Sequence, residues 1–215
     1  MSYHKINIGC GKTPTNGFIN YDNSISLKMI PFLRLVKLLN KLSVINEEQL
    51  SFIEFCKKNK IYYSNAIKKI PLDRSSADVV YASHMLEHLD RDEVKRFLKE
   101  AKRVLIEGGI IRLVVPDLEK LIIQYNNDKL ADKFMKKSLL YFIKPKSLLE
   151  KIKFFIVGAR HHMWMYDKES LSNLLTENGF KNPVILNSGD TLIKDPGSLN
   201  LKEKEDESIF IEAFA

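Results

Sequence analysis

The chain has 215 residues, 45% of them apolar and 28% charged, with a formal charge of +7 and a pI of about 9.2. That length and apolar content suit one domain with a full core and room for insertions, and two cysteines, Cys10 and Cys56, are too few for a disulfide framework. MSYHKINIG enters a strand at once, without a basic region and apolar signal core, and no apolar run approaches a membrane span; a cytoplasmic protein is expected.

From Lys5 to Asp22 the sequence KINIGCGKTPTNGFINYD predicts a short buried strand with Ile6 and Ile8, then the turn Gly9-Cys10-Gly11. A loop with Pro14 and Gly17 leads into a second strand of Phe18, Ile19 and Tyr21 that ends at Asp22. Glycine after a strand permits positive φ and lets a ligand approach where a Cβ would stand. An acidic residue closing the next strand can accept both hydroxyls of a ribose. A tight turn without a ligand has the same glycines, and it is Asp22 at the strand end that favours the ligand. The dinucleotide fingerprint requires a third glycine, opening a helix that holds a pyrophosphate. Pro14 occupies that place and no long helix fits before Phe18, so a ligand without a pyrophosphate is favoured.

Residues 23–60 read as helical. Leu27, Ile30, Leu33 or Arg34, Lys37 and Lys41 alternate apolar and basic character, Pro31 marks a break or first turn, and a second helix is expected over Glu47 to Lys58. This extra length suits a cap over the site, packing on the core, or a basic amphipathic surface on a membrane interface. A short strand is expected at Ile61 to Ser64, followed by Asn65 in a turn. Ala77 to Ala82 is a continuous apolar strand of the parallel-sheet kind that delivers Ser83 and His84 to its carboxyl end. Asp90 with Glu93 predicts a capping box for a helix carrying Val94, Phe97, Leu98, Ala101, Val104 and Leu105, with Gly108-Gly109 as its end. Ile110 to Val115 is the next buried strand, and Asp117 caps the helix after it.

His84 to His88 matches H-x-x-E-H, an inverted zinc-protease signature. A catalytic zinc of that type needs both histidines on one helix and a third ligand elsewhere. His84 falls at a strand-to-helix junction and the helix restarts at Asp90, so no metal is expected.

Lys129 to Arg160 holds nine basic residues against Asp132 and Glu150, which equals the whole charge excess. A solvated helix face or attraction to an anionic substrate, lipid headgroup or nucleic acid would account for it. The string Arg160-His161-His162-Met163-Trp164-Met165-Tyr166-Asp167 then packs two histidines, the only Trp and a Tyr together. It reads as a pocket wall, with core packing and carbonyl-bonded histidines as the alternative. Asp167 caps a helix closed by Gly179, and Val184 to Leu186 with Ile209 to Phe214 form a last antiparallel pair at the sheet edge.

Three segments in this order resemble class I S-adenosylmethionine-dependent methyltransferases: the glycine loop with Asp22, Leu86-Glu87-His88 after the fourth strand, and Gly108-Gly109 before IIRLVV. With H-x-W-M-Y-D at 162–167, the nearer likeness is to small bacterial members associated with surface-polysaccharide biosynthesis. The resemblance implies an α/β fold, a doubly wound Rossmann-like seven-stranded mostly parallel sheet in a single domain over 1–215, with helical insertions at about 24–60 and 127–160. It implies S-adenosylmethionine as cofactor, with Gly9, Cys10 and Gly11 against its methionine part and Asp22 on its ribose. Asn65 falls near the adenine and Ser83 at the strand end beside the cofactor.

Methyl transfer to a hydroxyl requires an acceptor held in line and a base for its proton, a role suited to histidine near neutral pH. His84 and His162 are the leading candidates, His161 and His88 stand behind them, and Asp117 is a possible orienting group. A small-molecule or glycan-linked acceptor of anionic character, such as a sugar or phosphate-bearing group, is expected, and the basic insertions suit contact with the inner face of a membrane. Two other classes remain: a catalytically inactive methyltransferase-like binding subunit, and a nucleic-acid methyltransferase, which would bind with steep salt dependence.

Overall fold

The computed structural model describes residues 3–42, 44–141 and 161–215. Its strands are β1 (His4–Ile8), β2 (Ile19–Asp22), β3 (Tyr62–Tyr63), β4 (Ala77–Ser83), β5 (Leu105–Pro116), β6 (Lys181–Leu186) and β7 (Ser208–Phe214). They form one seven-stranded sheet in the order β3-β2-β1-β4-β5-β7-β6. The first five run parallel, and β7 is antiparallel to both β5 and β6.

The helices are α1 (Leu33–Lys41), α2 (Glu47–Lys58), α3 (Arg91–Val104), α4 (Leu118–Asp128), α5 (Ala131–Ser138) and α6 (Lys168–Glu177), with a 3₁₀ segment over Ile25–Phe32 ahead of α1. Of the basic residues between 129 and 160, Lys144, Lys146, Lys151, Lys153 and Arg160 lie outside the described residues, as does most of the second insertion.

The alternation of side chains along β4 and β5 divides the core in two. Val80, Ala82, Ile111 and Leu113 face α3 and α6, which bury Val94, Phe97, Leu98, Leu171, Leu174 and Leu175 against them. Each large apolar side chain buried this way contributes roughly 1.5–3 kcal/mol, against about 1 kcal/mol for a helix cap. Packing therefore holds α3 in place, and the Asp90–Glu93 capping box sets where it begins. Val79, Tyr81, Val114 and Phe210 face the other way and are covered by Ile193 and Leu199 of the loop between β6 and β7.

That loop is anchored by a fully buried ion pair. Arg112 Nη1 lies 2.6 Å from Glu212 Oε1 and also donates to the Asp190 carbonyl, while Glu212 accepts from Thr191 Oγ1 and the Leu192 amide. One expectation needs correction: Gly108-Gly109 does not end α3. The helix stops at Val104 and β5 begins at Leu105, so the glycines lie within the strand, where Gly108 takes φ +74°.

Candidate functional site

The carboxyl edge of the sheet carries two clusters. The first is the β1–β2 connection. Asn7, buried in β1, donates to the Thr13 carbonyl and to Thr15 Oγ1, and Asn20 in β2 accepts from the Thr15 amide while donating to the Thr15 and Phe18 carbonyls. Two side-chain amides thus hold a loop too short for a helix, and neither had been assigned a role from the sequence; a buried Asn on an otherwise apolar strand was the available signal. Asp22 is held as well: its Oδ2 accepts from the Gly11 amide at 2.9 Å and its Oδ1 from the Ser24 amide at 2.8 Å.

The glycines divide their work. Gly9 and Gly11 both adopt positive φ, but a Cβ on Gly9 would meet Met85 Cγ at 2.8 Å, whereas one on Gly11 would point into open space. Gly11 is therefore the open side of the cradle and Gly9 the position where the loop packs on Met85. The Cys10 side chain turns inward against Leu27, Cys56 and Ile61, so only its backbone faces a ligand. Burial, with the Asp22 charge nearby, pushes its thiol up to about 12. Asn65 follows a chain segment tied to β2 by the Ser64 amide on the Asp22 carbonyl, and its Oδ1 is buried without a hydrogen-bond partner. Ser83, at the end of β4, likewise keeps a buried, unpartnered Oγ.

The second cluster follows β4 and β5. His84 sits at the strand end with φ +48°, a left-handed conformation costly for a side chain with a Cβ and one that concentrates at functional sites. Its amide donates to the Val114 carbonyl. Its Nε2 lies 3.1 Å from Ser208 Oγ and its Nδ1 3.3 Å from Glu87 Oε1.

Glu87 is 1% exposed, and neither carboxylate oxygen has a hydrogen bond. His162 Nε2 is 4.0 Å from the same Oε1. The His88 ring stands edge-on to His162 with centroids 5.0 Å apart, and its Nδ1 lies 3.0 Å from the His161 carbonyl. Burial lowers the His162 pKa from the ordinary imidazole value, with the Glu87 charge opposing that shift.

The segment that carries His161 and His162 is pinned just after them. The Met163 and Trp164 amides donate to the Glu87 carbonyl, and the Leu118 amide to that of Tyr166. Trp164 does not form a pocket wall: it is 46% exposed, with the Arg91 guanidinium over its ring. Met165, His84 and His162 instead line a cavity of about 180 Å³ with Asp117, Lys120, Lys137, Lys204 and others. The Asp117 carboxylate caps α4 through the Glu119 and Lys120 amides. Lys137 belongs to the basic segment seen in the sequence, but Lys120 and Lys204 were not singled out there, since the three come from α4, α5 and the β6–β7 loop and meet only in the fold.

Residues 44–113 match a family model described as a methyltransferase domain. No curated protein matches the chain. Among solved structures, a S-adenosylmethionine-dependent methyltransferase from Methanosarcina mazei is 18% identical, over 99% of this chain and 92% of its own, with a TM-score of 0.53. A S-adenosylmethionine-dependent methyltransferase from Thermotoga maritima, described as a possible histamine N-methyltransferase, is 19% identical over 100% and 83%, with a TM-score of 0.50.

The chain has the methyltransferase fold. The domain match covers residues 44–113, and S-adenosylmethionine is the cofactor that this match and fold imply. The open cradle at Gly11, the anchored Asp22 carboxylate and the orphaned Asn65 Oδ1 fit that cofactor.

Proposed function

We propose that the chain is a S-adenosylmethionine-dependent methyltransferase that acts on a hydroxyl of a small or glycan-linked acceptor carrying a phosphate or another anionic group. The cavity carries this reading: the His84 imidazole at the end of β4 and the His162 imidazole on a loop line it, with Lys120, Lys137 and Lys204 around them. A cavity of about 180 Å³ suits one small acceptor group. The glycan link rests on the resemblance to polysaccharide-associated methyltransferases.

Bound in the β1–β2 cradle, S-adenosylmethionine supplies an electrophilic methyl group. Asp22 would hold its ribose hydroxyls, the Gly11 backbone its methionine part, and Asn65 Oδ1 its adenine amino group. The chain's own contribution at the acceptor is position and a base. Glu87 Oε1 stands 3.3 Å from His84 Nδ1, which leaves Nε2 as the ring atom that accepts. There Ser208 Oγ occupies the place that an acceptor hydroxyl would take. The lysines hold the anionic group, and His84 Nε2 takes the hydroxyl proton, a contribution of typically 10²–10⁴-fold in rate. Screening labelled-methyl transfer to sugar phosphates and to their uncharged counterparts tests this reading. Turnover confined to the charged set supports it, and equal turnover on both removes the anionic requirement.

The first insertion supports a second contact. On α1 and its flanks Leu35, Leu38 and Leu42 are exposed at helical spacing, and Arg34, Lys37 and Lys41 run alongside, one residue out of step. Among the described residues no helix is long and apolar enough to cross a membrane, so this face is proposed to rest on an anionic lipid surface. Co-sedimentation with phosphatidylglycerol vesicles that Leu38→Glu abolishes is the expected result; equal sedimentation of both proteins would contradict it.

A further inference from the structure

We propose that Glu87, His88 and His162 form a site for one divalent transition-metal ion of the zinc type. Each offers a ligand atom, and these atoms all lie within 4.8 Å of one another. A carboxylate that is 1% exposed, with no hydrogen bond to either oxygen and His84 Nδ1 3.3 Å from Oε1, is an incompletely compensated buried group. A cation between Glu87 and the two imidazoles supplies that compensation.

His88 has the outer bond that a metal ligand uses. Ligating histidines usually give their second ring nitrogen to a carbonyl or carboxylate, which fixes ring and tautomer. His88 Nδ1 is held on the His161 carbonyl at 3.0 Å, and this leaves its Nε2 for an ion. The His162 side chain is 7% exposed, its Nδ1 has no hydrogen-bond partner, and the Met163 and Trp164 amides tie its loop to the Glu87 backbone. The His84 imidazole borders the site from the cavity side, 3.3 Å from Glu87.

Zinc takes His nitrogen and carboxylate oxygen at about 2.0–2.2 Å, so ligand atoms around it stand roughly 3.4 Å apart, and binding draws the three groups together by about an ångström. Two imidazoles and one carboxylate suit zinc better than calcium or magnesium, which favour oxygen ligands. The sequence pattern H-x-x-E-H pointed to a metal on two helical histidines. The fold instead pairs Glu87 and His88, on a 3₁₀ turn (Leu86–His88), with His162 from a distant loop. An ion here would fasten that loop to the turn and fix the wall of the cavity in which His84 works.

The proposal does not depend on the acceptor, and it is tested on the full chain stripped of metal with a chelator. Cobalt(II) titration followed by visible absorption, and zinc(II) titration by calorimetry, are expected to show one ion per chain, with zinc displacing cobalt. Affinity is expected to fall at least tenfold in Glu87→Gln and in His88→Ala, while His4→Ala, altered at the start of β1, binds as the parent does. Absence of one-to-one binding by the parent protein would overturn the site, as would binding that both Glu87→Gln and His88→Ala retain. Circular dichroism confirms that each variant is folded. Titrating S-adenosylmethionine into the same parent sample reports separately on the methyltransferase reading.

Discussion

The two clusters on the carboxyl edge of one sheet are built from different materials. Around β1 and β2 the site is held by neutral groups: Asn7 and Asn20 clamp the loop, and backbone amides orient Asp22. After β4 and β5 it is held by ionisable groups, with Glu87 among three imidazoles and lysines on the cavity wall. The first arrangement is preorganised to hold one ligand shape. The second surrounds the place where, in the proposed reaction, the acceptor's proton would move. Damage on the β1–β2 side is therefore expected to cost binding, and damage on the β4–β5 side turnover.

The largest effect is expected at the catalytic end. His84→Asn, chosen because Asn tolerates the left-handed backbone at that position, is expected to lower kcat by 10²–10⁴-fold and leave cofactor affinity unchanged, as read by steady-state kinetics beside calorimetry. Equal loss of both would assign His84 to structure and break the contrast.

Next is the buried pair under the β6–β7 loop. Glu212→Ala leaves Arg112 buried without its partner and is expected to cost about 3–5 kcal/mol in urea unfolding. The double change Arg112→Met with Glu212→Leu is expected to recover most of it. A smaller loss, about 1–3 kcal/mol, is expected for Asn20→Ala, which strips three hydrogen bonds from the loop. Weakened cofactor binding should accompany it.

The smallest expected effect concerns pH. Glu100 accepts from the Arg103 guanidinium and the Ile70 amide and lies near Lys69, and these hold its carboxyl below the ordinary value of 4.5 against a smaller effect of burial. Folded, it binds fewer protons than unfolded, so its contribution is complete above that value and is lost as pH falls through the lower folded pKa. Acid unfolding of Glu100→Gln should accordingly show a shallower fall in stability below pH 4.5 than the parent.

The same division governs what could be read from the chain alone. Gly11 and Asp22 are eleven residues apart and meet through a turn, so strand periodicity and glycine chemistry were enough to place them. The helix starts at Asp90, Asp117 and Asp167 were legible because a cap is a local pattern. His84, Glu87 and His162 join through a contact across 75 residues, and no local pattern encodes it. Glu87 was visible in H-x-x-E-H, but its burial without a hydrogen-bond partner appears only in the fold. Trp164 looked like pocket lining by type, yet its neighbours turn it outward onto Arg91.

Calorimetric titration of S-adenosylmethionine into the parent protein and into Asp22→Ala tests the central claim most directly. The account predicts binding in the micromolar range by the parent and its loss in the variant. No binding by the parent, or binding that survives Asp22→Ala, would contradict the placement of the cofactor in the β1–β2 cradle.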